Sequence, residues 1–278
     1  MTEQGKVPIP PGVVALTTFG SITFETHHAI MEMRSLSEKQ GLTNVSWISV
    51  PGTLVDRARN QAAMQMLKNP AYQWLLFVDG DCVFPPEALM RLLGYAYHEN
   101  PAADVVGAYN VLRGEPYLPT IDTGTGTWES HFPGSGALEV MRTGSAFVLI
   151  KRHVYERVTP PWYGTRNPMR PIDIFAELDN FANQKFDGRN PLAQTPEWKT
   201  LYECARNEAS TYRPHDPVAF VGEDSGFCDA ARAAGLHIFV HTDVVCGHVA
   251  HEVLTWQNHK ASMEKAAARG RLACGVTR

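Results

Sequence analysis

Two aspartates separated by one glycine, Asp79-Gly80-Asp81, close the apolar run Trp74-Leu75-Leu76-Phe77-Val78. Carboxylates this close repel each other, and desolvating them is costly unless a cation neutralises them. At the end of a buried strand the pair suits a divalent cation carrying a phosphorylated ligand. The plainer alternative is an Asp-Gly turn. A second acidic pair, Glu223-Asp224, follows the apolar Phe220-Val221-Gly222. It has the chemistry to supply a general base or hold an acceptor hydroxyl, and also that of an acidic helix start beside Ser225. His248 ends Val244-Val245-Cys246-Gly247, with His251 three residues on. An imidazole there would complete a metal site begun by carboxylates, or be an ordinary surface or core histidine. His27, His28 and His241 have no comparable context. In Asp56-Arg57-Ala58-Arg59-Asn60 a guanidinium near a helix start suits a diphosphate or carboxylate, or simply a solvated face. In Arg142-Thr143-Gly144-Ser145 a glycine inside a strand marks the close approach of a ligand or backbone, or a bulge.

The elements that must position these groups follow from periodicity. Residues 13–18 (VVALTT), 45–50 (VSWISV), 74–78 and 104–108 read as buried strands. Residues 23–40 and 54–67 have helical spacing, and Pro85-Pro86-Glu87 opens a further helix. Strand, helix, strand, helix, strand indicates βαβ units and a parallel sheet, whose ligands bind beyond the carboxyl ends of the strands. Residues 113–137 read as a long loop or loose hairpin, and 138–150 as a strand broken at Thr143-Gly144-Ser145. Residues 159–218 read as an insertion over the sheet. A helix is expected at 227–234, strand-like runs at 237–241 and 243–246, and a C-terminal helix at about 253–271.

The chain has 278 residues, 44% of them hydrophobic and 19% charged, which is enough apolar material for a sizeable core and excludes disorder. The formal net charge of −4 gives no global attraction to nucleic acid, although it does not exclude a local basic groove. Five scattered cysteines without a CxxC pair argue against a zinc ribbon or a disulfide framework. No apolar run approaches the roughly 20 residues that span a bilayer, and residues 1–6 lack the core of a signal peptide. A cytoplasmic location is the expectation.

In order along the chain, these motifs resemble those of the GT-A nucleotide-sugar glycosyltransferases, specifically the family-2-like group. The matching segments are LTTFG, DRARN, LLFVDGD followed by FPPEAL, MRTGSAFVLIKR, VGEDSGFCDAARAAG and VVCGHV. They cover about residues 13–251 apart from the loops at 113–137 and 159–218. The resemblance implies one GT-A (Rossmann-like) α/β domain over 1–278, with a mixed, mainly parallel sheet flanked by helices and an insertion on the acceptor side. It implies Mn2+ or Mg2+ and a nucleoside-diphosphate sugar as co-substrate. Asp79, Gly80 and Asp81 look like the DxD that holds metal and sugar nucleotide, and His248 like the late metal ligand. Thr17, Thr18 and Arg59 fall where the nucleotide is bound, and Thr143 and Gly144 beside the donor sugar. Asp224 falls where inverting members place their base, with Glu223 as the rival.

There are two departures. No QxxRW motif follows the acidic pair, so a processive synthase is not expected. CGHVAH can also be laid against the CSxVGH segment of the retaining polypeptide GalNAc-transferases, which would make His251 the ligand. A sugar-1-phosphate nucleotidyltransferase is the alternative enzyme, but such enzymes carry a Gly-rich loop with lysine where this chain has TTFGSITF. An inactive nucleotide-sugar-binding module is the alternative without catalysis. Compact stand-alone transferases resemble those of bacteriophages, which act in the host cytoplasm, so the acceptor classes are a hydroxymethylated DNA base, a protein or a small molecule. Trp162, Tyr163, Trp198, Tyr202 and Tyr212, amid Arg166, Arg170, Arg189, Arg206 and Arg213, could stack on sugars or bases, or form an ordinary packed layer.

Overall fold

The computed structural model describes residues 8–18, 20–51, 54–112, 116–164, 195–211, 222–249 and 253–268. The chain divides into two compact units, one formed by Met1–Gly164 with Glu223–Arg278 and the other by Thr165–Gly222. In the second unit the described element is one helix, Pro196–Thr211. Of the aromatic and arginine residues noted there, Tyr212, Arg166, Arg170, Arg189 and Arg213 and the side chain of Trp198 lie outside the description.

The first unit is built on a sheet. In chain order its main elements are β1 (Gly12–Thr18), α1 (Phe24–Lys39), β2 (Val45–Pro51), α2 (Val55–Leu67), β3 (Trp74–Asp79) and β4 (Cys82–Val83). Then follow α3 (Ala88–Gly94), running into one π-helical turn at Tyr95–Glu99, and β5 (Val105–Tyr109). Short strands β6 (Ile121–Asp122), β7 (Ala137–Glu139) and β8 (Arg142–Thr143) precede β9 (Phe147–Lys151) and α4 (Arg152–Arg157). After the second unit, whose helix is α5, come α6 (Glu223–Ala233), β10 (Ile238–Val245), β11 (Gly247–Val249), β12 (Val253–Leu254) and α7 (Trp256–Ala268).

The main sheet has the order β2-β1-β3-β9-β5-β10-β7. β1 pairs parallel with β2 and β3, and β10 parallel with β5. β9 lies antiparallel between β3 and β5, and β7 is antiparallel to β10. The result is the mixed sheet flanked by helices expected of the GT-A architecture. The expected break at Thr143-Gly144-Ser145 separates β8 from β9, and a second break at Val140-Met141 separates β7 from β8, so the run 138–150 is three pieces rather than two. The loop expected at 113–137 contains β6.

Strands covered on both faces read as continuous apolar runs, with alternate side chains entering opposite layers. Leu75 and Phe77 face the layer formed with Ala58, Ala62, Ala63 and Met66 of α2 and Phe227 and Ala231 of α6. Trp74, Leu76 and Val78 face the layer formed with Ala29 and Met33 of α1 and Leu89, Leu92 and Leu93 of α3. Trp162 and Tyr163, singled out as candidate stacking residues, are core residues of the α2–α6 layer. No helix among the described residues is long and apolar enough to cross a membrane.

One glycine fixes how β1 and β3 sit. A Cβ on Gly12 would lie 2.1 Å from the Trp74 indole, whose Nε1 donates to the Pro10 carbonyl at 2.8 Å. Gly12→Ala must displace that fully buried ring or the strand. It is expected to cost about 1–3 kcal/mol, the usual penalty of overpacking, measured by urea unfolding.

Candidate active site

β1, β3 and β5 all end at one edge of the sheet, and a cleft of about 640 Å³ opens there. Its walls include Thr17, Thr18, Arg59, Asp79, Gly80, Asp81, Gly144, Glu223, Asp224 and His248. Of the ten residues that the resemblance places in the site besides His248, nine therefore meet it in one place. The exception is Thr143, which is buried under the cleft and whose Oγ1 has no hydrogen-bond partner; Gly144, Ser145 and Ala146 form the surface there. His251 lies outside the described residues.

Arg59 organises one side of the cleft. It is only 2% exposed. Its Nη1 donates to Glu223 Oε1 at 2.7 Å and to Asp224 Oδ1 at 2.8 Å, while Nη2 donates to both oxygens of Asp79 at 3.2 Å. Nε is buried without a partner. Burial opposes the charge of the guanidinium, but Asp224, Asp79, Tyr163 and Glu223 outweigh it and hold its pKa above the ordinary value. Asp79 is further fixed by the Thr17 hydroxyl, which donates to Oδ1 at 2.7 Å. Glu223 and Asp224 occupy the first turn of α6, where the helix N-terminus favours negative charge. The pair is therefore an acidic helix start, as one reading of the sequence has it, and at the same time part of the charge cluster around Arg59.

The other side is built by main-chain pairing. β4 follows Asp81 directly and pairs antiparallel with β11, which puts His248 opposite Cys82. The Val249 N–H donates to the Asp81 carbonyl at 2.7 Å. His248 Nδ1 consequently sits 3.8 Å from Asp81 Oδ1, too far for a hydrogen bond, and it is buried with no hydrogen-bond partner. Asp79 does not join this pair, because its carboxylate is turned to Arg59 and Thr17. Among the described residues no three His, Cys, Asp or Glu side chains converge as a metal-binding group. Gly80 lets the loop between the two aspartates lie against β1. A Cβ there would meet Thr18 Cγ2 at 2.9 Å, and the Gly80 N–H donates to the Thr17 carbonyl at 3.0 Å. The Gly80 carbonyl in turn accepts from the N–H of Thr23, the N-cap of α1.

Ser145, the last residue of the Arg142-Thr143-Gly144-Ser145 motif, also lines the cleft, as do Asn110, Thr120, Ser21 and Thr23, which were not singled out from the sequence. Asn110 had a usable signal, since it is the polar residue that directly follows the apolar strand β5, as Asp79 ends β3. The cleft walls carry four carboxylates against one guanidinium, and no lysine is among the described lining residues.

Neither a protein-family model nor a curated protein sequence matches this chain. Among solved structures it is similar to A197 from STIV, with 15% identity over 89% of this chain and 91% of that one, and a TM-score of 0.53. It also aligns with a glycosyltransferase involved in the glycosylation of the major capsid of PBCV-1, at 13% identity over 91% of this chain and 100% of that one, with a TM-score of 0.31. A third alignment is to GalNAc-T7 with UDP, GalNAc and Mn2+, at 10% identity over 97% of this chain and 52% of that one, with a TM-score of 0.44. The likeness to A197 is one of fold. The two weaker alignments add nothing to it.

Two consequences of the Arg59 cluster are measurable. Arg59→Met leaves three carboxylates facing one another without their cation, and is expected to lose about 3–5 kcal/mol of stability in urea unfolding, as when one partner of a buried ion pair is removed. Arg59→Lys keeps the charge without the planar fork and is expected to recover part of that loss.

The second consequence concerns pH. Burial first, and then the charge of Asp224, hold the Glu223 carboxyl above its ordinary value of 4.5, with Arg59 opposing. A group with a raised folded pKa binds more protons folded than unfolded in the window above 4.5. It therefore favours folding as the pH falls through that window and opposes it as the pH rises. Wild type is expected to gain stability relative to Glu223→Gln as the pH falls from neutrality, measured by unfolding at stepped pH. A constant difference would contradict this.

Proposed function

We propose that the protein transfers a sugar from a nucleoside-diphosphate sugar to a hydroxyl acceptor, with a divalent cation bound by Asp81 and His248. The observation that carries this reading is the facing pair of Asp81 and His248 at the carboxyl edge of the sheet, beside carboxylates gathered on Arg59. The donor set fits such a cation: one carboxylate, and one imidazole whose buried Nδ1 lacks a partner. Diphosphate and water oxygens complete the coordination of ions of this kind. When bound, Mn2+ or Mg2+ supplies the positive charge that balances the departing nucleoside diphosphate.

The charges of the cleft support the same conclusion. Arg59 is committed to three carboxylates, so it acts as their clamp and not as the main partner of the diphosphate. Thr17, Thr18 and Gly80 then form the nucleotide side of the cleft, and Gly144 the donor-sugar side. In an inverting transfer Asp224, held by Arg59 and partly exposed to the cleft, takes the proton of the acceptor hydroxyl. The hydroxyl oxygen bonds to the anomeric carbon while the bond from that carbon to the diphosphate oxygen breaks. Glu223 shares the same guanidinium nitrogen and keeps Asp224 in place. The absence of lysine among the described lining residues speaks against a nucleotidyltransferase, whose triphosphate substrate carries more charge.

Incubation with a panel of nucleotide sugars and Mn2+ is expected to release free nucleoside diphosphate from one donor. Asp81→Ala is expected to abolish both this turnover and Mn2+-dependent nucleotide binding. Asp224→Asn is expected to keep the binding and lose about 10²–10⁴-fold in kcat, the usual contribution of a general base. Undiminished turnover in Asp81→Ala would sink the reading.

A further inference from the structure

Asn60 follows Arg59 on α2, and every hydrogen-bonding position of its amide is used. Oδ1 accepts from the backbone N–H groups of Trp162 at 3.0 Å and Tyr163 at 3.1 Å. Nδ2 donates to the Tyr163 carbonyl at 2.6 Å and the Asp56 carbonyl at 2.8 Å. An aspartate would have two acceptors and no donor here, and an alanine neither. The irregular segment Trp162-Tyr163 is thereby fastened to α2 through both ends of one residue's peptide groups.

The fastened residue is a wall of the carboxylate cluster. The Tyr163 ring lies 5.8 Å from the Arg59 Cζ. It stacks on Phe227 with ring centres 4.7 Å apart and meets Phe77 edge-on at 5.7 Å. Phe227 is one turn beyond Glu223 on α6, and Phe77 is two residues before Asp79 on β3. Tyr163 therefore braces all three elements whose charges Arg59 joins. The chain leaves this unit after Gly164 and returns to it at Glu223. The two flanks of the segment 165–222 are thus held by neighbouring residues of α2, the leading one by Asn60 and the returning one by Arg59.

We infer that Asn60 is a positioning residue: by fixing Trp162-Tyr163 it sets the guanidinium of Arg59, and through it the carboxylates of Glu223 and Asp224. The catalytic consequence rests on the transferase reading, whereas the structural one rests on the hydrogen bonds alone.

The test uses the full chain with Asn60→Asp and Asn60→Ala. Nitrogen-detected NMR follows the guanidinium signal of Arg59, identified by its loss in Arg59→Lys. Calorimetry with a nucleoside diphosphate and Mn2+ counts intact sites, and donor turnover gives kcat and KM per intact site. The expected result is a displaced Arg59 signal in both variants and a kcat lower by about 10–100-fold, the size of effect a misplaced catalytic group produces. The donor KM should stay within about twofold, because the lost interaction is not with the donor. An Arg59 signal at its wild-type position, or an unchanged kcat per intact site, overturns the inference. If wild type turns over no nucleotide sugar, the transferase reading fails, and the Arg59 signal still decides the role of Asn60.

Discussion

A single buried guanidinium holds three carboxylates from two elements. Arg59 stands on α2, Asp79 ends β3, and Glu223 and Asp224 open α6. Three anions crowded into a partly desolvated space would repel each other by several kcal/mol without it. A lysine could neutralise one of them, but only the planar fork of arginine presents enough donors in fixed directions to serve all three. The helix can come close enough because the side chains it turns to the sheet around Arg59 are small, with Ala58, Ala62 and Ala63 all fully buried. Packing and electrostatics are thus one arrangement: small residues bring α2 against the sheet, and the long residue between them reaches the charges.

That arrangement divides two aspartates that the sequence presents as equivalent. Asp79 is held inward by Thr17 and Arg59, and Asp81 lies one glycine further on, beside His248. A single cation shared among three carboxylates leaves the cleft walls negative. A diphosphate entering such a cleft needs a positive charge brought with it, which is why Asp81 and His248 are proposed as the place for a divalent ion. Arg59 contributes indirectly by keeping the remaining carboxylates from repelling the ligand and from one another.

The elements that form this edge were legible because each has a local signature. Residues 74–78 are apolar throughout, as a strand covered on both faces must be, and the aspartates beyond them fall where open α/β sheets bind ligands. The acidic pair and the arginine were visible as residues, but their contact was not: Arg59 and Glu223 are far apart in the chain, and no local pattern encodes a long-range ion pair. The direction of β9 was hidden for a similar reason. Phe147–Lys151 is as apolar as a parallel strand, and only its partners β3 and β5 show that it runs against them. Thr143 illustrates a finer limit. A strand-like run shows that residues alternate between faces, but the break at Gly144 decides which of them reaches the cleft, and it gives that surface to Gly144 and Ser145.

The two halves of the site are held by different kinds of bond, with different sensitivities to change. His248 reaches Asp81 through backbone pairing of β4 with β11. Such a placement is sensitive to a slip of register, since moving one residue along a strand turns every side chain to the other face. The carboxylate half hangs on side chains: Arg59 for the charges, Tyr163 and Phe227 for the wall, Asn60 for the segment that carries Tyr163. It tolerates small movements of the backbone and fails when one of these groups is replaced. A site built in this way keeps the half proposed to hold a cation fixed to the sheet and leaves the half that would move a proton adjustable through one residue, Arg59, and the contacts around it.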